Sequence, residues 1–155
     1  MIKKIIFVLL CFVSISPAAQ AQAIDEKDVP ANIRSVAEDH LGEDPVSLWV
    51  LDRNRDKYVA TVLTETRFRT VEISLSGKWI ATTDALPEAK VLQVVKQTIQ
   101  EKYATRGFEI SNISNYQFVR DSSGTSFYSA EMTSDDQDLY VTFNSKGQVL
   151  REEER

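Results

Sequence analysis

Three polar residues in this sequence have the spacing of a calcium-binding loop. Asp52, Asn54 and Asp56 stand at every second position, as the first three ligands of an EF-hand loop do. That loop also needs a glycine directly after the third ligand and an acidic residue at its twelfth position, where this chain has Lys57 and Leu63. We therefore predict a polar hairpin turn here and no metal site.

A histidine and a group of carboxylates are the other candidates for chemistry. His40 is the only histidine, and it cannot by itself form a catalytic triad or a multi-histidine metal site. Because it lies near the end of a predicted helix, a partly charged imidazole would suit the helix dipole. Asp135, Asp136 and Asp138 could hold a metal ion or act as an acid and a base, but such a cluster also suits a solvated turn, which we favour.

These residues do not predict an enzyme. Two close carboxylates with perturbed pKa values across a cleft would indicate one, and nothing in the spacing marks such a pair. The sequence also lacks a glycine-rich phosphate loop and a Gly-x-Ser-x-Gly nucleophile motif. We predict a protein without catalytic residues, cofactor or metal ion.

The N-terminus has the layout of a secretory signal peptide. A short basic start, residues 1–4, precedes an apolar run at 5–15, which is shorter than the roughly 20 residues that a membrane-spanning helix needs. Small residues follow, in the overlapping triplets Ala19-Gln20-Ala21 and Ala21-Gln22-Ala23. We predict a signal peptide at 1–21, with cleavage after Ala21 or Ala23, and a mature protein that is periplasmic or secreted.

Cysteine content and charge narrow the possible partners. Cys11, the only cysteine, follows the bulky Leu10 inside the apolar run, so we assign it to the signal core and not to a lipid-modified site. The mature chain would then have no cysteine, which excludes disulfides and thiol catalysis. Removal of Lys3 and Lys4 changes the formal net charge from −5 to −7, so we expect neither nucleic acid nor an anionic membrane as a partner.

After a polar leader at 22–28, a first unit at 29–83 is predicted to be a helix followed by strands. Val29-Pro30 opens the helix, because proline suits a first helical turn, and Gly42 ends it. Strands are predicted at 46–51, 58–63, 70–75 and 79–82. The helix face to be buried carries apolar residues at helical spacing: Ile33, Val36, Ala37 and Leu41.

A second unit, residues 84–155, repeats this order. Leu86-Pro87 is predicted to open its helix, 57 residues after Val29-Pro30, and 108–119 is a β-prone stretch. The run at 151–155 is predicted to be a charged, fraying end. The buried helix face is formed by Val91, Leu92, Val95, Ile99 and Tyr103. Strand residues that match at an offset of 70 are Tyr58 with Tyr128, Ala60 with Ala130, Val62 with Met132, and Gly77 with Gly147.

These elements predict the fold class. Turns of hairpin length require antiparallel pairing between the strands. Alternating apolar residues predict that one sheet face is covered by the helices: Val71, Ile73, Leu75, Val141 and Phe143. The sequence thus predicts an α+β fold of two tandem α-β-β-β(-β) repeats, with an antiparallel sheet and both helices on one face.

The same residues carry a family resemblance. A helix opened by Leu86-Pro87, strands with Tyr58-x-Ala60 and Tyr128-x-Ala130, and a turn glycine before an apolar pair resemble the PepSY-like repeats of secreted bacterial proteins. Their tandem arrangement is similar to the beta-lactamase-inhibitor-like (BLIP-like) group. The resemblance implies a non-enzymatic inhibitory or ligand-sensing module outside the cytoplasm. The disulfides of some such inhibitors cannot form in a mature chain without cysteine.

The sheet face away from the helices is the predicted binding surface. Aromatic side chains among polar ones are typical of protein-binding surfaces. We predict that this face binds a protein loop or peptide of the cell envelope, with Phe68, Phe127 and Tyr140 as anchors and Glu72 as a polar contact. The alternative is a carrier or sensor of a small apolar ligand held between the helices and the sheet. Other residues predicted on this face are Val59, Leu63, Thr70, Glu131, Thr142 and Asn144.

Overall fold

The computed structural model describes residues 21–108 and 113–154, which form two α-helices, three short 3-10 turns and nine strands. The helices are α1 (Ala31–Leu41) and α2 (Gln93–Tyr103). The 3-10 turns are Glu26–Asp28, Glu88–Lys90 and Ala104–Arg106. The strands are β1 (Gln22–Ile24), β2 (Leu48–Asp52), β3 (Lys57–Leu63), β4 (Phe68–Ser74), β5 (Trp79–Ala85), β6 (Ile113–Asp121), β7 (Ser126–Thr133), β8 (Asp138–Phe143) and β9 (Val149–Glu154).

The nine strands form one antiparallel sheet in which every strand pairs with the next one in sequence. Short polar turns connect most neighbours, and turns of that length allow only antiparallel pairing. The helices stand between β1 and β2 and between β5 and β6. This architecture confirms the predicted α+β class. Within the described residues, neither helix is long and apolar enough to span a membrane.

Each helix buries one apolar stripe against the sheet. In α1 the buried residues are Ile33, Ala37 and Leu41, which recur every fourth position and so lie on one side of the helix. Gly42 ends α1 at a φ of 87°, a conformation that glycine adopts without steric cost. The first core combines this stripe with Val29, Trp49, Ala60, Val62, Val71 and Ile73. The second combines Val95, Ile99 and Tyr103 of α2 with Val91, Phe108, Tyr116, Ala130, Met132, Leu139, Val141 and Phe143.

Strand register places both cores on the same face of the sheet. Val71 pairs with Thr82 and Thr82 with Arg120, while Phe118 pairs with Tyr128 and Tyr128 with Phe143. Directly paired residues point to the same side of a sheet, so this chain of pairs connects the two cores. The prediction that Leu75 faces the helices is wrong. It lies in the turn after β4 and is exposed, because the strand ends one residue earlier.

The second helix begins later than the sequence predicts. Leu86-Pro87 leads into the 3-10 turn Glu88–Lys90, and α2 starts only at Gln93. Proline is equally suited to open a 3-10 turn, since neither kind of helix uses its missing N–H there. Helices α1 and α2 therefore begin 62 residues apart, at Ala31 and Gln93, instead of 57. The tandem repeat itself stays a prediction.

Part of the segment 22–28, predicted as a leader, belongs to the sheet as strand β1. Gln22, Ala23 and Ile24 pair with Leu51, Val50 and Trp49 of β2. Ile24 also packs against the first core, so an apolar side chain and the backbone pairing together hold this segment. The predicted signal peptide falls on residues outside the described part of the chain, apart from Ala21.

Residues 151–154, predicted to belong to a fraying end, lie in strand β9, and an ionic cluster joins this strand to α2. The carboxylate of Glu152 in β9 accepts hydrogen bonds from the Tyr103 hydroxyl at 2.9 Å and from Arg106 at 2.6 Å. The Arg106 guanidinium also lies over the rings of Tyr103 and Phe108. Both bonds lower the pKa of the Glu152 carboxyl below its ordinary value of 4.5, and the bond from Arg106 has the larger effect.

This cluster predicts a loss of stability in acid. A carboxyl with a lowered pKa in the folded state stabilises the protein above the unfolded-state pKa, near 4.5, and loses that contribution as the pH falls through the folded-state value. Because the Glu152 side chain is partly exposed, solvent limits the effect to about 1 kcal/mol or less. Unfolding by urea between pH 6 and pH 2.5 should show a smaller acid-induced loss for Glu152→Gln than for the natural protein. An equal acid-induced loss of stability in Glu152→Gln and the natural protein would contradict this role of Glu152.

Candidate interaction surface

The sheet face opposite the helices, here called the open face, is covered by neither α1 nor α2. Register places all four predicted binding residues, Phe68, Glu72, Phe127 and Tyr140, on this face. Phe68 pairs with Leu63 and Glu72 with Val59 in β3, and Phe127 pairs with Val119 in β6. Tyr140 pairs with Glu131 in β7. Alternation along each strand was sufficient to predict this, because side chains of neighbouring positions point to opposite faces.

The structure spreads these four residues over the face instead of joining them. Phe68 and Phe127 lie on β4 and β7, which are three strand spacings apart, or about 14 Å. None of the four is the direct cross-strand partner of another. Any binding by this face would therefore involve a partner surface or segment that spans several strands.

Exposed apolar side chains are concentrated at one corner of the open face. Leu63 is 62% exposed, its cross-strand partner Phe68 is 39% exposed, and Leu48 on β2 is 46% exposed. Leu48 pairs with Thr61, two residues from Leu63 on the same strand, so the three side chains are neighbours. We call Leu48, Leu63 and Phe68 the apolar corner. Sequence analysis missed Leu48, because only the register of β2 brings it beside Leu63.

A surface cavity adjoins the apolar corner. Phe68 lines it together with the β3–β4 turn, including Thr64 and Glu65, and with Leu86 and Pro87 after β5. The cavity has a volume of about 270 Å³. Phe68 therefore stands between an exposed apolar patch and a recess large enough for a side chain.

Glu72 is already engaged within the protein. Its carboxylate forms an ion pair with the Lys57 ammonium group, and the N–O distance is 2.7 Å. The Lys57 side chain is only 10% exposed although it lies on the open face. Breaking such a pair would leave the lysine charge poorly solvated. Glu72 thus has a structural task in addition to the contact role that the sequence suggested.

The middle of the open face is formed by small side chains. Ala81, Ser129 and Thr142 are each less than a tenth exposed, and Val119 lies beside them, although no helix covers them. Ser129 is the direct partner of Thr142, and Val119 belongs to neither helix-facing core. Their low exposure shows that surrounding side chains already cover this floor.

The far end of the open face, on β7 to β9, is acidic. Glu131 and Glu153 flank Tyr140 as its cross-strand partners on the two sides, and Asp138 lies at the start of β8. Arg151, the one cation that register places on this end of the face among residues 113–154, pairs with Glu153. We call Glu131, Asp138 and Glu153 the acidic end.

On the opposite face, a polar and aromatic group fills the gap between the two cores. The His40 ring of α1 stacks on Trp79 of β5, with ring centroids 4.3 Å apart. Arg69 and Arg120 both contact the carboxylate of Asp84, at 2.5 Å and 3.5 Å. No sequence signal predicted this group, because its members come from four separate elements.

The environment of His40 corrects the predicted charge of its imidazole. Burial against Trp79 is the largest influence and lowers the pKa of His40 below 6.5, while the nearby Asp39 raises it and Arg120 lowers it further. The neutral imidazole is therefore favoured. The carbonyl of His40 instead accepts a hydrogen bond from Arg69.

Both acidic motifs from the sequence occupy hairpin turns and the adjoining strand ends, Asp52 in β2 and Asp138 in β8. Asp52 accepts hydrogen bonds from the backbone N–H groups of Asn54 and Arg55, and Asp56 has a positive φ of 50°. This local bonding is what a tight turn requires. Asp135 and Asp136 stand in the turn between β7 and β8, where the Ser134 N–H bonds to the Gln137 carbonyl.

Comparison with solved structures identifies the architecture. A DUF2874 family protein from Bacteroides uniformis has a TM-score of 0.68 at 17% identity, covering 81% of this chain and 89% of that one. A protein from Bacteroides eggerthii that is described as periplasmic has a TM-score of 0.67 at 15% identity, covering 81% of this chain and 88% of that one. A BLIP-like protein from Bacteroides fragilis has a TM-score of 0.65 at 13% identity, covering 81% of this chain and 85% of that one. The fold is BLIP-like.

Comparisons by sequence add no family. No family profile and no curated protein matches this chain. At 13–17% identity the solved structures show the BLIP-like fold alone and assign no function to particular residues. The predicted resemblance is thus confirmed for a BLIP-like fold, while the PepSY-like repeats stay a prediction.

Proposed function

We propose that this protein is a non-catalytic binding module of the bacterial cell envelope that holds a protein loop or peptide on its open face. The observation that carries the proposal is a wide sheet face without helices, on which aromatic and aliphatic side chains stay partly exposed among polar ones. Such surfaces bind proteins through a few large anchors. The anchors are Phe68, Phe127 and Tyr140, and Glu72 is a polar contact.

The location of the protein is part of the proposal. The signal-like N-terminus motivates export to the periplasm or secretion, and one protein with the same fold is described as periplasmic. An inhibitory role is consistent with the BLIP-like name of another structural neighbour. Binding by surface contact needs no catalytic residues, cofactor or metal ion.

The alternative of a small-molecule carrier has less support. Such a carrier needs space between helices and sheet, and the residues there are packed without solvent exposure, among them Ile33, Val71, Ile99 and Val141. Native mass spectrometry of the purified protein is the test of this alternative. An apolar molecule retained in a defined ratio would favour it.

Photocrosslinking tests the proposed surface. A benzophenone amino acid at Phe127 on the open face, and at Val94 on α2 as a control, would be compared in tagged protein exposed to envelope extract. We expect a defined crosslinked product from position 127 that is absent from position 94. The natural side chains at positions 127 and 94 are both partly exposed, so a difference in crosslinking would not be explained by accessibility alone.

A double variant tests the anchors. Phe127→Ala with Tyr140→Ala should reduce capture of the crosslinked partner by about 30-fold or more, since the loss of even one aromatic anchor costs about 2 kcal/mol. Val94→Ser should leave capture unchanged. Circular dichroism would verify that each variant is folded. Equal capture by the double variant and the natural protein would rule out these anchors.

A further inference from the structure

We infer that the partner of the open face presents an apolar patch and a lysine- or arginine-rich patch that lie about 14–24 Å apart. This inference rests on the proposed binding role of that face and adds the chemistry of the partner. It follows from an asymmetry in the open face. Strands β2 to β4 carry its apolar corner, and strands β7 to β9 carry its acidic end.

The apolar corner supplies the site for the apolar patch. Leu48, Leu63 and Phe68 are exposed neighbours, and Val50 and Val59 continue the same surface toward the other end of β2 and β3. The cavity of about 270 Å³ beside Phe68 could take one inserted side chain. Burial of these side chains under a partner would remove apolar surface from water.

The charges of the open face select a cationic partner. Within the described strands, register places six carboxylates on this face, against two cations: Asp52, Glu72, Asp121, Glu131, Asp138 and Glu153, against Lys57 and Arg151. Both cations are already paired, Lys57 with Glu72 and Arg151 with Glu153. The surplus is negative, and complementary charge on a partner would raise both association rate and specificity.

The spacing comes from the sheet. From Phe68 on β4 to Glu131 on β7 or Glu153 on β9 there are three to five strand spacings of about 4.8 Å each. Neither α1 nor α2 covers this side of the intervening strands. A partner segment crossing the strands could therefore contact both ends at once.

Two synthetic peptides make this testable without knowledge of the natural partner. The basic peptide is acetyl-Leu-Phe-Thr-Gly-Thr-Lys-Thr-Lys-amide, whose phenylalanine lies about 13–22 Å from its two lysines when the peptide is extended. The acidic peptide has glutamate in place of both lysines. Binding is measured by NMR titration of the isotope-labelled protein at low salt. We expect the basic peptide to bind at least about tenfold more tightly, with shifts at both the apolar corner and the acidic end.

Salt dependence and variants distinguish the contribution of the acidic end to peptide binding from that of the apolar corner. Raising ionic strength from about 0.05 M to 0.5 M should weaken the basic peptide severalfold, because exposed charges are screened. Glu131→Gln with Asp138→Asn should reduce the preference for the basic peptide. Leu63→Ser should weaken both peptides by a similar factor, and Val94→Ser on α2 should change neither.

Two outcomes would overturn the inference: equal affinity for the two peptides, or no measurable affinity for either. Its failure is distinguishable from failure of the proposed function. If position 127 still crosslinks to a partner, the open face binds proteins of another chemistry. If position 127 crosslinks to nothing, the binding role of the face is lost as well.

Discussion

Replacing Phe143 with alanine is expected to lower the free energy of unfolding by about 3–5 kcal/mol. Phe143 is fully buried in the second core, where α2 packs on β7 and β8. Removing its ring would leave a cavity that the surrounding side chains can fill only in part. Urea unfolding, followed by circular dichroism, measures the change.

Phe127→Ala is the matched control for this prediction. Phe127 is also a strand phenylalanine of the second half of the sheet, but it lies on the open face and is only partly buried. Its replacement should cost about 1 kcal/mol or less, because less apolar surface is returned to water. Similar losses for the two variants would contradict the assignment of the two faces.

The second large effect is expected at the turn between β8 and β9. Gly147 has a φ of 75°, and a Cβ atom there would lie 2.6 Å from the backbone carbonyl oxygen of Val94 in α2. Gly147→Ala therefore combines an unfavourable φ with a clash that only a shift of the helix can relieve. We expect a loss of about 2–4 kcal/mol in the free energy of unfolding.

Gly124→Ala separates these two contributions. Gly124 also has a positive φ, of 83°, but a Cβ atom there would meet nothing within 4 Å. This variant should lose only the backbone contribution, about 1–2 kcal/mol. The excess loss in Gly147→Ala then reports the contact with α2. In that contact Thr98 also donates a hydrogen bond to the Gly147 carbonyl at 2.8 Å. An equal loss in the two variants would mean that the close approach is not maintained in solution.

Local patterns were sufficient for the elements and for the two faces of the sheet. The burial of Ile33, Ala37 and Leu41 follows from a helical period of 3.6 residues, which the chain shows without any tertiary information. Val71 and Val141 were likewise placed correctly by strand alternation. Errors occurred at element ends, as for Leu75, where a single residue decides whether alternation still applies.

Sequence by itself thus determined the α+β class and the side to which most strand residues point, because both depend on neighbours close along the chain. The tertiary structure alone decided which residues from distant elements meet. It brings Leu48 beside Leu63, pairs Lys57 with Glu72, and stacks His40 on Trp79. These contacts depend on strand register and helix position, which are set by packing of the whole sheet. For the same reason, the division of the open face into an apolar corner and an acidic end emerges only in the folded protein.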